Sequence, residues 1–251
     1  MLGASSAFWR LGAWKHNREV EPLETIEKPD LGLALVDGTT GPRLIAYGEP
    51  KAAIAALTDY AGRGLAPHTT MINREVYGAL DEATRTHFGP YWGHAWDFFW
   101  TDAPLAEIEH CERVEFLRAH SAQLEPVRDE VRAALLASNP ISAAVDEFDH
   151  LDWFILRAPD GNIATVMGAE RSGTGMGFHG LGTVPAYRGK GYGGATMVGA
   201  VNASLQLASH IQFGVWGWND GAMRLYSRLG IRHDGGLIFG SDQPFKELQA
   251  T

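Results

Sequence analysis

The chain holds one cysteine among its 251 residues, Cys111. That excludes an internal disulfide and any CxxC metal knuckle, and it suits a reducing compartment. No apolar run is long enough to span a bilayer. The opening stretch MLGASSAFWRLGAWKHNREVE mixes cations with aromatics and lacks the apolar centre of a signal peptide, so a cytoplasmic protein without membrane attachment is expected. Cations are scarce: 21 Lys and Arg against 30 Asp and Glu give a formal net charge of −9. Nucleic-acid binding needs a basic face and is not expected. A small anion in one local positive pocket remains compatible. Hydrophobic residues at 45% and charged residues at 20% describe an ordinary globular core.

Strand and helix periodicities divide the chain near residue 108. In 1–108, residues 1–28 read as irregular or briefly helical. LGLALV and PRLIAYG read as strands around the turn DGTTG, and EPKAAIAALTDYAGRG as a helix ended by glycine. HTTMIN and the aromatic YWGHAWDFFWTD read as further strands, and DAPLAEIEH as a connector. The run Tyr91, Trp92, Trp96, Phe98, Phe99 and Trp100 suits core packing better than a substrate pocket, since aromatics bury so much area. Phe8, Trp9 and Trp14, with Arg10 and Lys15, are expected to dock back onto the protein rather than onto a partner.

In 109–251, RVEFLRA is a strand. Ser121 is placed to cap a helix carrying Leu124, Val127, Val131 and Leu135 on one face. DWFILRA and NIATVMGAE are strands joined by the turn PDG, and MGFHGLGTV is a third. Consecutive strands joined by turns are antiparallel. The next helix carries Gly194, Val198, Val201, Leu205 and Ala208 on one face. IQFGVWG is a strand, NDGAMRLYSRLG a helix between Asn219 and Gly230, and GLIFG the last strong strand. PFKELQAT, with proline at its start and charge in its middle, is a poor closing strand.

Between the third strand and its helix lies YRGKGYGG, residues 187–194. A helix start presents unpaired N–H groups and the positive end of the dipole, so it accepts an anion. Gly189, Gly191 and Gly193 let the backbone approach phosphate oxygens, and Arg188 and Lys190 add charge. A P-loop would need Ser or Thr after Lys190, where Gly191 stands. Gly189, Gly191 and Gly194 also spell GxGxxG, with Asp220 as a ribose acid. Too little chain follows for a doubly wound sheet, however.

The segment RGKGYG resembles the pyrophosphate loop of the GNAT N-acetyltransferase superfamily, flanked by LGTVPAYRGKGYGG. Downstream, NDGAMRLYSRLGI is similar to that family's segment at Asn219, Ala222, Leu225, Tyr226, Leu229 and Gly230. The resemblance spans about residues 112–240. It implies an α+β fold: a mostly antiparallel sheet flanked by helices and splayed at the acetyl-CoA site. A smaller N-terminal α/β unit, with a degenerate copy of the same fold as one reading, would pack against it. It implies acetyl transfer from acetyl-CoA to a small-molecule or peptide amine, without metal and without a covalent enzyme intermediate. The loop from Arg188 through Tyr192 to Gly194 would hold the pyrophosphate, and Leu181, Gly182 and Thr183 the pantetheine. A backbone N–H there would polarise the thioester. Asn219 would face the pantetheine, and the Tyr226 hydroxyl would protonate the leaving thiolate, a plain packing tyrosine being the alternative. The family has no fixed base. His179 is a candidate, as against a hydrogen-bonded histidine on the sheet, and Glu170 ends the preceding strand. A non-enzymatic acyl-CoA sensor would keep the loop without the chemistry.

Overall fold

The computed structural model describes residues 3–15, 22–38 and 41–245. In chain order the elements are α1 (Ala7–Arg10), β1 (Pro22–Lys28), β2 (Leu31–Gly38), β3 (Gly41–Gly48), α2 (Pro50–Gly62), β4 (Thr69–Asn73), α3 (Arg74–Ala79), α4 (Glu82–Phe88) and β5 (Tyr91–Thr101). There follow β6 (Glu115–Leu117), α5 (Arg128–Ser138), β7 (Asp152–Arg157), β8 (Ile163–Ser172), β9 (Gly175–Thr183), α6 (Tyr192–Ser204), β10 (Ile211–Trp216), α7 (Asp220–Arg228) and β11 (Arg232–Ser241). The class is α+β with mostly antiparallel strands. Among the described residues no helix is long and apolar enough to cross a membrane.

The chain forms two compact units. The first comprises Met1–Phe98, Val215–Asp220 and His233–Glu247, and the second Phe99–Gly214, Gly221–Arg232 and Leu248–Thr251. Residue 108 therefore lies within the second unit. The connector is held there by Asn202 of α6, whose Oδ1 accepts from the Leu105 N–H (2.8 Å) and whose Nδ2 donates to the Leu105 carbonyl (3.0 Å).

In the first unit β1, β2 and β3 form an antiparallel meander. After α2, β4 returns parallel to β3 over Arg43–Thr69 to Ala46–Ile72. Leu33, Leu44, Ala46, Leu57, Ile72 and Phe88 fill the core between strands and helices. β11 closes this sheet, antiparallel to β4 from Leu237–Asn73 to Ser241–Thr69. The closing strand is thus longer than GLIFG alone. Most of PFKELQAT, from residue 246 on, lies outside the described residues.

The segment expected to be irregular or briefly helical contains α1 and, beyond it, the strand β1. PLETIEK was hidden because its half-buried positions are Pro22, Glu24 and Ile26 and its exposed ones begin with Leu23, so little apolar alternation marks this edge strand. Phe8, Trp9 and Trp14 dock on their own unit, each at most 5% exposed. Phe8 packs on Tyr47 and Phe98 at 4.9 and 5.4 Å, and Trp9 stacks on Trp14 at 4.8 Å. The Asp234 carboxylate accepts the Phe8 N–H at 2.7 Å, a cap supplied from the far end of the chain.

In the second unit β6 to β9 form an antiparallel meander, with α5 and α6 on opposite faces. Trp153, Ile155 and Val166 face α5 through Val131 and Leu135. Leu156 and Ala164 face α6 through Tyr192 and Ala195. The expected helix from Ser121 begins later, at Arg128, after a 3-10 turn over Glu125–Val127. Pro126 confines the preceding residues to that tighter turn, and the Ser121 hydroxyl caps only the Leu124 N–H (3.2 Å). Helix α6 ends at Ser204, with Leu205 as its cap, so Ala208 lies beyond it.

Burial pushes the Asp234 carboxyl above its ordinary value of 3.8, partly offset by the Phe8 N–H. A group with a raised folded-state pKa contributes most below its unfolded pKa, and that contribution is lost as pH rises through the folded value. Asp234→Asn is neutral at every pH. It should melt above the wild type at pH 7, with the gap closing as pH is lowered toward 3.8; a gap that widens on acidification contradicts this.

Candidate active site

Strands β9 and β10 begin as parallel neighbours at Ile211–Met176 and Gln212–Gly177, and their pairing stops there. Six residues of β9, Phe178 to Thr183, continue without β10. The cause is local. Between Val166–Gly182 and Gly168–His179 the β8–β9 register shifts by one residue, with the extra residue on β9. Such a bulge bends its strand and raises its twist. Gly180 occupies it with φ +62°, and a Cβ there would stand 2.7 Å from the Ser142 hydroxyl and 3.0 Å from Ala144. Gly182 leaves no room either, lying against Ser138 and Asn139 at the end of α5. The glycine-rich MGFHGLG thus lets one strand bend away from β10 and lie tight on α5.

After β9 the chain makes a 3-10 turn at Pro185–Tyr187, passes Arg188, and enters α6 through Gly189 and Gly191, with φ +77° and +82°. Gly191 is the N-cap and supplies no capping side chain, and the first turn of α6 carries no acid. The leading amides and the positive dipole end are therefore unopposed. The Arg188 guanidinium donates to the Thr183 carbonyl (3.1 Å) and toward the Ser138 carbonyl (3.5 Å), bracing the loop against β9 and α5. Lys190 sits 5.4 Å over the Tyr187 ring, whose hydroxyl donates to Asp160 at 2.7 Å. Gly193 leaves space for the Thr183 hydroxyl, 3.1 Å from where a Cβ would be. The loop, β9 and the start of α6 thus form one positive cradle.

At the strand divergence lies a cavity of about 30 Å³, lined by Met167, Phe178, His179, Gly180, Leu181, Met197, Phe213, Gly214 and Tyr226. Tyr226, on α7, is 6% exposed. It meets Phe213 and Phe99 edge-on at 4.7 and 5.3 Å. Burial raises its pKa, so the hydroxyl keeps its proton. His179 lines the same cavity, with its Nε2 2.9 Å from Glu170 Oε1. The structure therefore brings Tyr226, His179 and Leu181 to one cavity and gathers Thr183, Arg188 and Gly193 at the loop. Asn219 stands just before α7, its N–H donating to the Trp216 carbonyl at 2.8 Å, and is not among the cavity's lining residues. The apolar floor of Met167, Met197 and Phe213 carried no motif in the sequence.

Solved structures resemble the chain across both units. A GCN5-related N-acetyltransferase from Sphaerobacter thermophilus has a TM-score of 0.55 and 14% identity, over 88% of this chain and 80% of that one. A GCN5-related N-acetyltransferase from Kribbella flavida gives 0.53 and 16%, over 87% and 89%. A GNAT-family acetyltransferase from Colwellia psychrerythraea gives 0.57 and 10%, over 84% and 81%. The chain has the GNAT N-acetyltransferase fold. No protein-family model matches the sequence, and no curated protein does.

Gly180→Ala would force a side chain into a left-handed conformation and against Ser142. It should cost about 1–3 kcal/mol in urea denaturation; an unchanged midpoint would show that the bulge relaxes freely.

Proposed function

We propose that the protein transfers an acetyl group from acetyl-CoA directly to an amine, carried by a small molecule or a peptide, in the cytoplasm. One observation carries the reading: an unpaired length of β9 runs from an uncapped, glycine-rich helix start to a cavity holding a buried tyrosine hydroxyl. The amides of Arg188 to Gly194 would take the pyrophosphate, with Arg188 and Lys190 supplying charge. The freed backbone of Leu181, Gly182 and Thr183 would pair with the pantetheine amides, and an N–H there would stabilise the oxyanion of the tetrahedral state.

The amine nitrogen attacks the thioester carbon and the C–S bond breaks. The amine's proton passes to His179, and the Tyr226 hydroxyl protonates the departing sulfur. An ordinary thiol has a pKa of about 8.5 and tyrosine about 10. Burial raises Tyr226 further, so it acts chiefly as a hydrogen-bond donor to the developing thiolate.

One acetyl-CoA per chain is proposed. In the first unit β3 passes to α2 through Glu49 with no glycine–cation loop. There the Asn73 side chain accepts the Gly48 N–H at 3.0 Å and bridges the parallel strands where the second unit's diverge.

The test is thiol release from acetyl-CoA across polyamines, amino acids, aminoglycosides and peptide N-termini. Release without any amine dependence would count against acyl transfer to nitrogen. Arg188→Glu should weaken acetyl-CoA binding at least tenfold by calorimetry, since it sets a carboxylate against pyrophosphate; equal affinity in a folded variant refutes the loop assignment. Tyr226→Phe should lower kcat by about 10–100-fold with little change in acetyl-CoA affinity. Equal turnover would make Tyr226 a packing residue.

A further inference from the structure

We infer that Glu170 is a positioning residue: it orients the His179 imidazole for the acyl transfer proposed above, on which this inference rests. The pair is built into the sheet. Glu170 on β8 stands opposite Gly177, and His179 on β9 opposite Gly168. Residues opposite one another in an antiparallel pair share a face, as do residues two apart on one strand. Glu170 and His179 therefore lie on one face as diagonal neighbours, beyond the reach of most side chains. They meet because both facing positions are glycine, and no Cβ stands between imidazole and carboxylate. His179 Nε2 lies 2.9 Å from Glu170 Oε1, with the two side chains only 20% and 25% exposed.

An imidazole that donates Nε2–H to a carboxylate carries its lone pair on Nδ1. The carboxylate also stabilises the imidazolium that forms when Nδ1 takes up the amine's proton. Orientation matters here because the opposite face is already assigned. Gly168 shares its face with Trp153, its partner on β7, so Glu170 and His179 belong to the α5 face. Phe178, on the other face, stacks with Phe213, against which Tyr226 packs. Donor and acceptor of protons thus approach the cavity from opposite sides of the sheet. The leaving sulfur would meet Tyr226, and the entering nitrogen His179.

The other charged groups on neighbouring elements are committed elsewhere or lie outward. On α5, Arg128 and Arg132 pair with Asp149, Glu130 pairs with Arg157, and Asp129 is exposed. Arg171, next to Glu170, is exposed, and α6 bears no charge.

The test uses the full chain carrying Glu170→Gln, Glu170→Asp or His179→Ala. Imidazole ¹H–¹⁵N spectra are recorded without any ligand, His179 being assigned by its loss in His179→Ala. Thiol release from acetyl-CoA is then measured with the most active amine of the panel. In Glu170→Gln both His179 tautomers should become populated. The kcat should fall about tenfold, part of what a positioned base contributes, with KM for acetyl-CoA unchanged. Glu170→Asp should restore part of the loss. An unchanged tautomer would overturn the inference, as would altered imidazole spectra with undiminished kcat. Absence of amine-dependent thiol release in the wild type would instead defeat the acyl-transfer reading, while the spectra still report whether Glu170 holds His179.

Discussion

The hydrogen bonds that β9 and β10 fail to make govern the second unit. Two parallel neighbours in a buried sheet ordinarily satisfy each other's backbone groups, and leaving such groups unpaired is costly. Here pairing ends after Gln212–Gly177, and the bulge at Gly180 bends β9 toward α5. The opening creates three requirements at once: a guest with amide groups of its own, an apolar floor, and polar residues reaching in from each face. Phe178, Met197 and Phe213 supply the floor, while Tyr226 and the His179–Glu170 pair supply the polar groups. The first unit has the same order of strand, helix and parallel strand, yet its pair stays joined over four residue pairs and is sealed by Asn73.

The cradle's charge works against a protein of net charge −9. Range resolves the conflict. At physiological salt, exposed charges farther than about 8 Å are largely screened, so the local amides and cations decide what the loop attracts. Arg188 serves mostly as a strut, its guanidinium tied to the Thr183 and Ser138 carbonyls. The resulting field is fixed in place before any ligand arrives, which is the condition under which preorganised dipoles are most effective.

Much of this was legible in the residues. The order of elements from 115 to 241 followed from periodicity, and the anion-binding character of the loop from its glycines and cations, while Tyr226 came from the family resemblance alone. The misses have physical causes. β1 sets Leu23 and Thr25 outward and Glu24 half-buried beside Ile26, so its strand period carries little hydrophobic contrast. The α5 start was misjudged because apolar spacing continues through Leu124 and Val127 while Pro126 forces a different turn. The glycines of MGFHGLG read as a plain strand. Only the register identifies Gly180 as an extra residue, and only close packing explains Gly182. The division into units was illegible for a deeper reason: local periodicity says nothing about which distant strand an edge will meet, and β11 meets β4.

That pairing also bears on how the protein is made. Asn73 in β4 is paired with Leu237, so the first unit stays open on the ribosome until residues 237–241 have emerged. Domains usually fold in the order of synthesis, at about 5–20 residues per second of translation, and contacts between distant residues form slowly because loop closure must precede them. An unfinished β4 edge is exposed through that interval, a template for unwanted strand pairing. β11 therefore acts as a late seal on β4, and a ribosome that stalls before it releases an aggregation-prone nascent chain.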